Sequence, residues 1–308
     1  MTPLATAVLP VKNGAEHLLA LLAALRAQQL PGGLELLVID SGSADGSADL
    51  ARGAGARVLE IPAASFDHGE TRNLGAREAR GEHVLFLSQD ALPVGADFAH
   101  RLIGPLAAEP RVAGAFARQQ PRPDADALTR RELGNWVAAG PEPRTVFAPN
   151  RPGFEALDPG ERHRLAAFDN VASAIRRATL LEHPFVPSLF GEDLEWGLRM
   201  LRSGLGLAYV PQAVVIHSHR RGARALFRRN YLGHRLLVRL FGLRAIPDLP
   251  HLVRAAATGV LSDLRTLARA GGSVSAWLAA PAQALAAAYG QYRGACDERL
   301  GRPYPGWA

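Results

Sequence analysis

Between residues 5 and 88 the chain repeats one pattern: an apolar run of strand length, a polar turn, then a helical or loop segment. The runs are ATAVLP (5–10), LELLVID (34–40), ARVLEIP (56–62) and EHVLFLS (82–88). AEHLLALLAALRAQQ (15–29) has the spacing of an amphipathic helix, halted at Pro31-Gly32-Gly33, and ETRNLGAREARG (70–81) reads as another. Strands that are apolar throughout are covered on both faces. Their alternation with helices predicts an α/β fold with a mostly parallel sheet flanked by helices. In such sheets ligands sit beyond the carboxyl ends of the strands. Three segments lie there: Pro10-Val11-Lys12-Asn13, Asp40-Ser41-Gly42-Ser43 and Ser88-Gln89-Asp90. Two carboxylates, Asp40 and Asp90, therefore share one rim.

The remainder is less regular. Residues 118–164 are rich in Pro and Arg, and read as long loops with one short helix near 126–137. FGEDLEWGLRMLRSG (190–204) reads as a loop entering a helix, and LGLAYVPQAVVIHSH as a last strand carrying His217 and His219. Alternation along a strand puts these two on one side. From Arg220 onward the pattern is helical. With 308 residues, the chain has enough length for a sheet domain over 1–219 and a helical extension over 220–308. A single cysteine, Cys296, excludes a disulfide framework or cysteine metal cluster and suits a reducing compartment. No leader-like segment or membrane-length apolar run is present, so a cytoplasmic location is expected. The formal charge of +6 comes almost wholly from arginine. In RRGARALFRRNYLGHRLLVRLFGLR it forms a basic amphipathic pattern. That pattern suits either peripheral contact with an anionic membrane or a helical cap with a solvated Arg face. Nucleic-acid binding is not expected, because no recognised module or stacking pattern accompanies the charge. No G-x-G-x-x-G follows the first strand, which excludes a dinucleotide fold.

Taken in order, VLPVKNG, VIDSGSADGS, TRNLGAREARGEHVLFLSQDALP, FGEDLEWGLRM and VIHSH resemble the inverting family 2 glycosyltransferases of GT-A fold. DHGETRNLGAREARG with FLSQDALP and GEDLEW is similar to their bacterial rhamnosyltransferase-like branch. The resemblance spans roughly residues 5–229.

It implies a sugar-nucleotide donor, dTDP-L-rhamnose in that branch, and a polysaccharide or lipid-linked glycan acceptor in cell-envelope synthesis. A UDP- or GDP-hexose donor stays open, as does a nucleotide-sugar-binding protein without catalysis. The family's Asp-x-Asp motif corresponds to Ser88-Gln89-Asp90, so Asp90 alone is the expected carboxylate ligand of Mg2+ or Mn2+. One carboxylate suffices where diphosphate and water fill the other positions, and the Gln89 amide suits a sugar hydroxyl or ribose. The resemblance places Asp40 on the base or ribose, with Pro10, Asn13 and Ser43 lining that pocket. It places Arg72 at the base or diphosphate, with His68 a further candidate for the phosphates. It makes Asp193 the base that takes the acceptor's proton, with Glu192 orienting the site. His217 or His219 would be a further metal or phosphate contact, as imidazole suits Mn2+ better than Mg2+. Trp196 is read as core rather than as a platform for sugar.

Overall fold

The computed structural model describes residues 3–307. Its strands are β1 (Ala5–Val11), β2 (Leu34–Asp40), β3 (Arg57–Glu60), β4 (His83–Leu87), β5 (Leu92–Val94), β6 (Val112–Gln120), β7 (Arg144–Phe147), β8 (Ala172–Arg176) and β9 (Gly206–Ile216). All belong to one sheet in the order β3-β2-β1-β4-β8-β6-β9-β5, with β7 also pairing on β9. The first four in that order are parallel. β8 runs antiparallel between β4 and β6, and β6 is again parallel to β9. β5 and β7 divide the other edge of β9, both antiparallel. Six strands thus share one direction, and the sheet is mostly parallel as expected. The reversal at β8 carried no advance sign, because a buried strand reads alike in either direction.

The helices are α1 (Ala15–Arg26), α2 (Ser47–Gly53), α3 (His68–Glu78), α4 (Phe98–Ala108), α5 (Ala127–Gly134), α6 (Arg151–Glu155), α7 (Pro159–Ala166), α8 (Arg177–Glu182), α9 (Glu192–Arg202), α10 (Ala223–Phe241), α11 (Leu249–Ala270) and α12 (Val274–Arg299). β4 shows why its residues are apolar throughout. Leu85 and Leu87 enter one core with Leu18 and Leu22 of α1 and Phe98 and Leu102 of α4. Val84 and Phe86 enter the opposite core with Phe116, Phe185 and Trp196. Each such side chain, fully buried, contributes about 1.5–3 kcal/mol. Trp196 is core, as read.

The Pro/Arg-rich middle is more ordered than expected. The short helix forms as α5, capped by Asp126, whose carboxylate accepts from the Thr129 N–H. β7, α6 and α7 are also present. α6 and α7 are five and eight residues long, each opened by a capping Asn150 or Asp158 and a Pro. Elements this short show no periodicity, and β7 exists through its pairing with β9.

The basic amphipathic segment is α10, and its apolar side is covered. Tyr231, Leu236 and Phe241 are buried, and Phe241 joins the core that holds Trp196. α12 lies close against α10. A Cβ on Gly294 would collide with the Tyr231 carbonyl oxygen, so only glycine permits that approach. No described helix is long and apolar enough to cross a membrane.

Candidate functional site

The loops after β1 and β2 are laced together. Asp40 ends β2, and its Oδ1 accepts from the Gly42 and Ser43 N–H groups at 3.0 and 2.8 Å. Its Oδ2 is buried without a partner among the described residues. Asn13 takes a left-handed backbone, φ 49°. Its N–H donates to Ser43 Oγ at 2.8 Å, and its Oδ1 accepts from the Ala44 N–H at 2.9 Å. The Lys12 ammonium donates to the carbonyls of Ser41 and Gly42. Pro10 precedes this turn, past the end of β1's pairing with β4 at Val8.

Gln89 answers the question its position raises. Its Oε1 accepts from the Lys12 N–H at 2.8 Å, and its Nε2 donates to the Lys12 carbonyl at 3.2 Å. An amide does both; an ionised carboxylate only accepts. In the protein alone this residue therefore bonds the first loop rather than presenting its amide free for a sugar hydroxyl or ribose.

Asp90 meets the residues that follow β9. His217 Nε2 stands 3.6 Å from Oδ1 and His219 Nε2 3.4 Å from Oδ2. One ligand atom from each of the three residues falls within 4.8 Å of the others. The His–Asp spacings exceed those of good hydrogen bonds, so the nitrogens face the carboxylate without being bonded to it. Arg122, from the irregular middle, donates to the Asp90 carbonyl at 2.9 Å and lies 3.4 Å from Oδ2. Burial pushes the His217 pKa down to about 4, against the pull of Asp90. The ring is neutral at pH 7, as a ligand must be. The donor set of two imidazoles and a carboxylate fits a divalent cation.

A second cluster is acidic. Gly191, at φ 73°, turns the chain into α9, and a Cβ there would strike Leu236 of α10. Glu192 and Asp193 open the helix. Asp193 Oδ2 accepts from the Asn170 N–H at 3.1 Å and its Oδ1 from the Leu194 N–H at 2.8 Å. Burial, then Glu192 and Asp169, push the Asp193 pKa up to about 7. Asp169 is also raised by burial. It accepts from Gln119 Nε2 at 2.7 Å, Trp136 Nε1 at 2.5 Å and the Val171 N–H at 2.8 Å. Asn170 donates to Glu192 at 3.3 Å, and Ser173 Oγ donates to the Asn170 oxygen at 2.8 Å.

Arg72 lies under this cluster. Its guanidinium pairs with Glu192 at 3.0 Å, both side chains buried, and donates to the His68 carbonyl at 2.9 Å. The neighbouring residues of the motif hold the same segment. Asn73 exchanges two hydrogen bonds with the backbone of Phe185. Asp67 caps α3 and accepts from the Ser188 N–H at 3.0 Å. His68 is exposed, edge-on to Phe66 at 5.0 Å.

Two groupings therefore emerge from the residues picked in sequence: Asp90 with His217 and His219, and Glu192 with Asp193 and Arg72. Pro10, Asn13, Asp40, Ser43 and Gln89 gather at the first two loops, whereas His68 stands beside Glu192 and Arg72. Gln119, Arg122, Trp136, Asp169 and Asn170 escaped notice. The only cue was an adjacent polar pair, Asp169-Asn170, just before an apolar strand.

Residues 6–179 match the family described as Glycosyl transferase family 2. The O-antigen chain rhamnosyltransferase RfbN of Salmonella typhimurium is 29% identical over 202 residues, covering 64% of this chain and 61% of that one. The corresponding enzyme WbaN of Salmonella anatum is 27% identical over 207 residues, covering 64% and 60%. The matches thus span under two thirds of those relatives. Among solved structures, a mannosyltransferase from Pyrobaculum calidifontis in complex with GDP-Man and Mn2+ superposes with TM-score 0.61 at 17% identity, over 98% of this chain and 89% of that one. Glucosyl-3-phosphoglycerate synthase from Mycobacterium tuberculosis, with Mn2+, UDP and its product, gives TM-score 0.54 at 22% identity, over 80% and 81%. At such identities these two show a shared fold.

Proposed function

The chain belongs to glycosyl transferase family 2, with the GT-A fold, and on that premise we propose that it is an inverting sugar transferase in which Asp193 is the general base. The observation that carries the reading is the environment of Asp193. A carboxyl pushed up to about 7 is matched to taking a proton near neutral pH. The acceptor hydroxyl oxygen attacks the anomeric carbon as Asp193 removes its proton. The bond from that carbon to the donor's diphosphate oxygen breaks, and the nucleoside diphosphate leaves with the electron pair. Glu192, fixed by Arg72 and Asn170, keeps Asp193 basic by like-charge repulsion. Trp136, with 42% of its surface exposed and its N–H held by Asp169, offers a ring face to the acceptor sugar.

The donor occupies the opposite side. The unpaired Oδ2 of Asp40 accepts from a base N–H or ribose hydroxyl, with Pro10, Asn13 and Ser43 alongside. Asp90, His217 and His219 hold a divalent ion, and the mixed N/O set favours Mn2+ over Mg2+. That ion, when bound, supplies positive charge to the departing diphosphate. Mn2+ in the Pyrobaculum and Mycobacterium complexes supports this assignment. The two Salmonella relatives support dTDP-L-rhamnose as donor and a glycan acceptor, free or lipid-linked. Residues 1–219 are read as the transferase domain and 220–308 as a helical extension. Peripheral contact with an anionic membrane, at the inner face in the cytoplasm, falls to α11 and α12. There Val253, Leu261 and Leu285 are exposed beside Arg254 and Arg265.

Calorimetric titration with dTDP-rhamnose, UDP-glucose and GDP-mannose, with and without Mn2+, tests the donor reading. Mn2+-dependent binding of dTDP-rhamnose, lost in Asp90→Ala, is the expected result. Equal binding by that variant would remove the metal from Asp90, and binding of a different donor would reassign the sugar.

A further inference from the structure

The metal triad and the acidic cluster are joined by one chain of hydrogen bonds, and its chemistry determines where the His217 proton sits. Asp169 receives three N–H groups, from Trp136, from the Val171 backbone and from Gln119. With Asp169 ionised, its carboxylate can only accept, as the indole and backbone groups can only donate. The Gln119 amide nitrogen therefore faces Asp169, which turns its oxygen to His217. Gln119 Oε1 lies 2.9 Å from His217 Nδ1. An acceptor at that place calls for a proton on Nδ1, and a neutral ring with Nδ1–H has a bare lone pair on Nε2. Nε2 is the nitrogen that faces Asp90. The backbone keeps the relay in register: the Gln119 N–H donates to the Ala138 carbonyl and the His217 N–H to the Gln120 carbonyl. Gln119 and Asp169 are both buried, so water does not compete for the amide.

We infer that Gln119, oriented by Asp169, is a positioning residue that fixes His217 as its Nδ1–H tautomer and so prepares Nε2 to ligate the divalent ion. The inference rests on the metal reading of Asp90, His217 and His219. It goes beyond that reading by tying the ion site to the buried acid that also flanks the proposed base. The acceptor side and the donor side of the cleft then share a single polar network.

The direct test is 15N NMR of the histidine side chains in the metal-free wild type. His217 is expected to carry its proton on Nδ1, with Nε2 unprotonated. Mn2+ titration followed by electron paramagnetic resonance gives the second readout. Gln119→Met, which keeps length but replaces the amide with a weakly accepting thioether, is expected to release the tautomer and weaken Mn2+ binding about ten- to a hundredfold, the range for partners of a metal ligand. An Nε2–H ring in wild type with Mn2+ bound normally would overturn the positioning role alone. Unchanged Mn2+ affinity in a folded Gln119→Met protein would overturn it too. An Nδ1–H ring with no Mn2+ binding in wild type would overturn the metal reading, and the positioning role with it. Should Gln119→Met fail to fold, the wild-type spectrum still decides the tautomer.

Discussion

Asp90 and Asp193 flank the hydrogen-bonded chain that links His217, Gln119 and Asp169, and their surroundings are opposite. Asp90 is faced by two imidazoles and the Arg122 guanidinium. Asp193 has Glu192 and Asp169 for neighbours, and the Arg72 guanidinium beside the cluster pairs with Glu192. The first arrangement gathers ligands and positive charge around a carboxylate. The second crowds acids together so that one of them keeps a proton until near neutrality. On the proposed reading one end takes a cation and the other a proton, the division of labour that sugar transfer from a nucleotide requires.

The largest expected effect breaks the proton end. Asp193→Asn is predicted to lower transfer by about 10²–10⁴, the usual contribution of a general base, while Mn2+-dependent donor binding stays at the wild-type value. Single-turnover assays beside donor titration separate the two. Transfer at the wild-type rate would move the base elsewhere.

The next prediction concerns what holds the acids in place. Arg72→Met strands Glu192 as a buried carboxylate and is expected to cost about 3–5 kcal/mol of stability, read from urea unfolding. The sequence suggested that Arg72 faces the donor. If that is its role instead, stability will change little and donor affinity will fall.

This contrast also explains what could be read in advance. Asp40 and Asp90 stand at strand ends, where position marks a carboxylate as available, whereas Glu192, Asp193 and the two histidines were singled out by the family resemblance. The parallel order of the early strands was equally open to reading. Gln119, Asp169 and Trp136 were not, because their meaning lies in partners distant in the chain. Gln119 is 50 residues from Asp169 and 98 from His217. These residues meet only once β6, β8 and β9 are side by side. The DHGETRN motif was recognised, but the contacts that it makes within the fold were not. Asp67, Arg72 and Asn73 each hold the segment around residues 185–192, and nothing local to the motif announces that.

The smallest expected effect sharpens the same comparison through stability. The Asp193 carboxyl moves from 3.8 in the unfolded chain to about 7 in the fold. Between those values the folded protein binds the proton that the unfolded chain has released. Stability from this group is therefore full below about pH 4 and falls as pH rises toward 7. Asp193→Asn removes the titration, so its melting temperature should decline less than that of wild type over this window. At pH 8 the variant should be the more stable of the two. A parallel decline in both proteins would mean that burial of Asp193 costs the fold nothing.

The most direct measurement is a 13C NMR titration of the aspartate carboxyls in the metal-free protein, with Asp193→Asn identifying the resonance. The account predicts a carboxyl that titrates near pH 7 in wild type and disappears in the variant. If every aspartate has titrated below pH 5, Asp193 holds no proton at neutrality, and the contrast between its site and that of Asp90 is wrong.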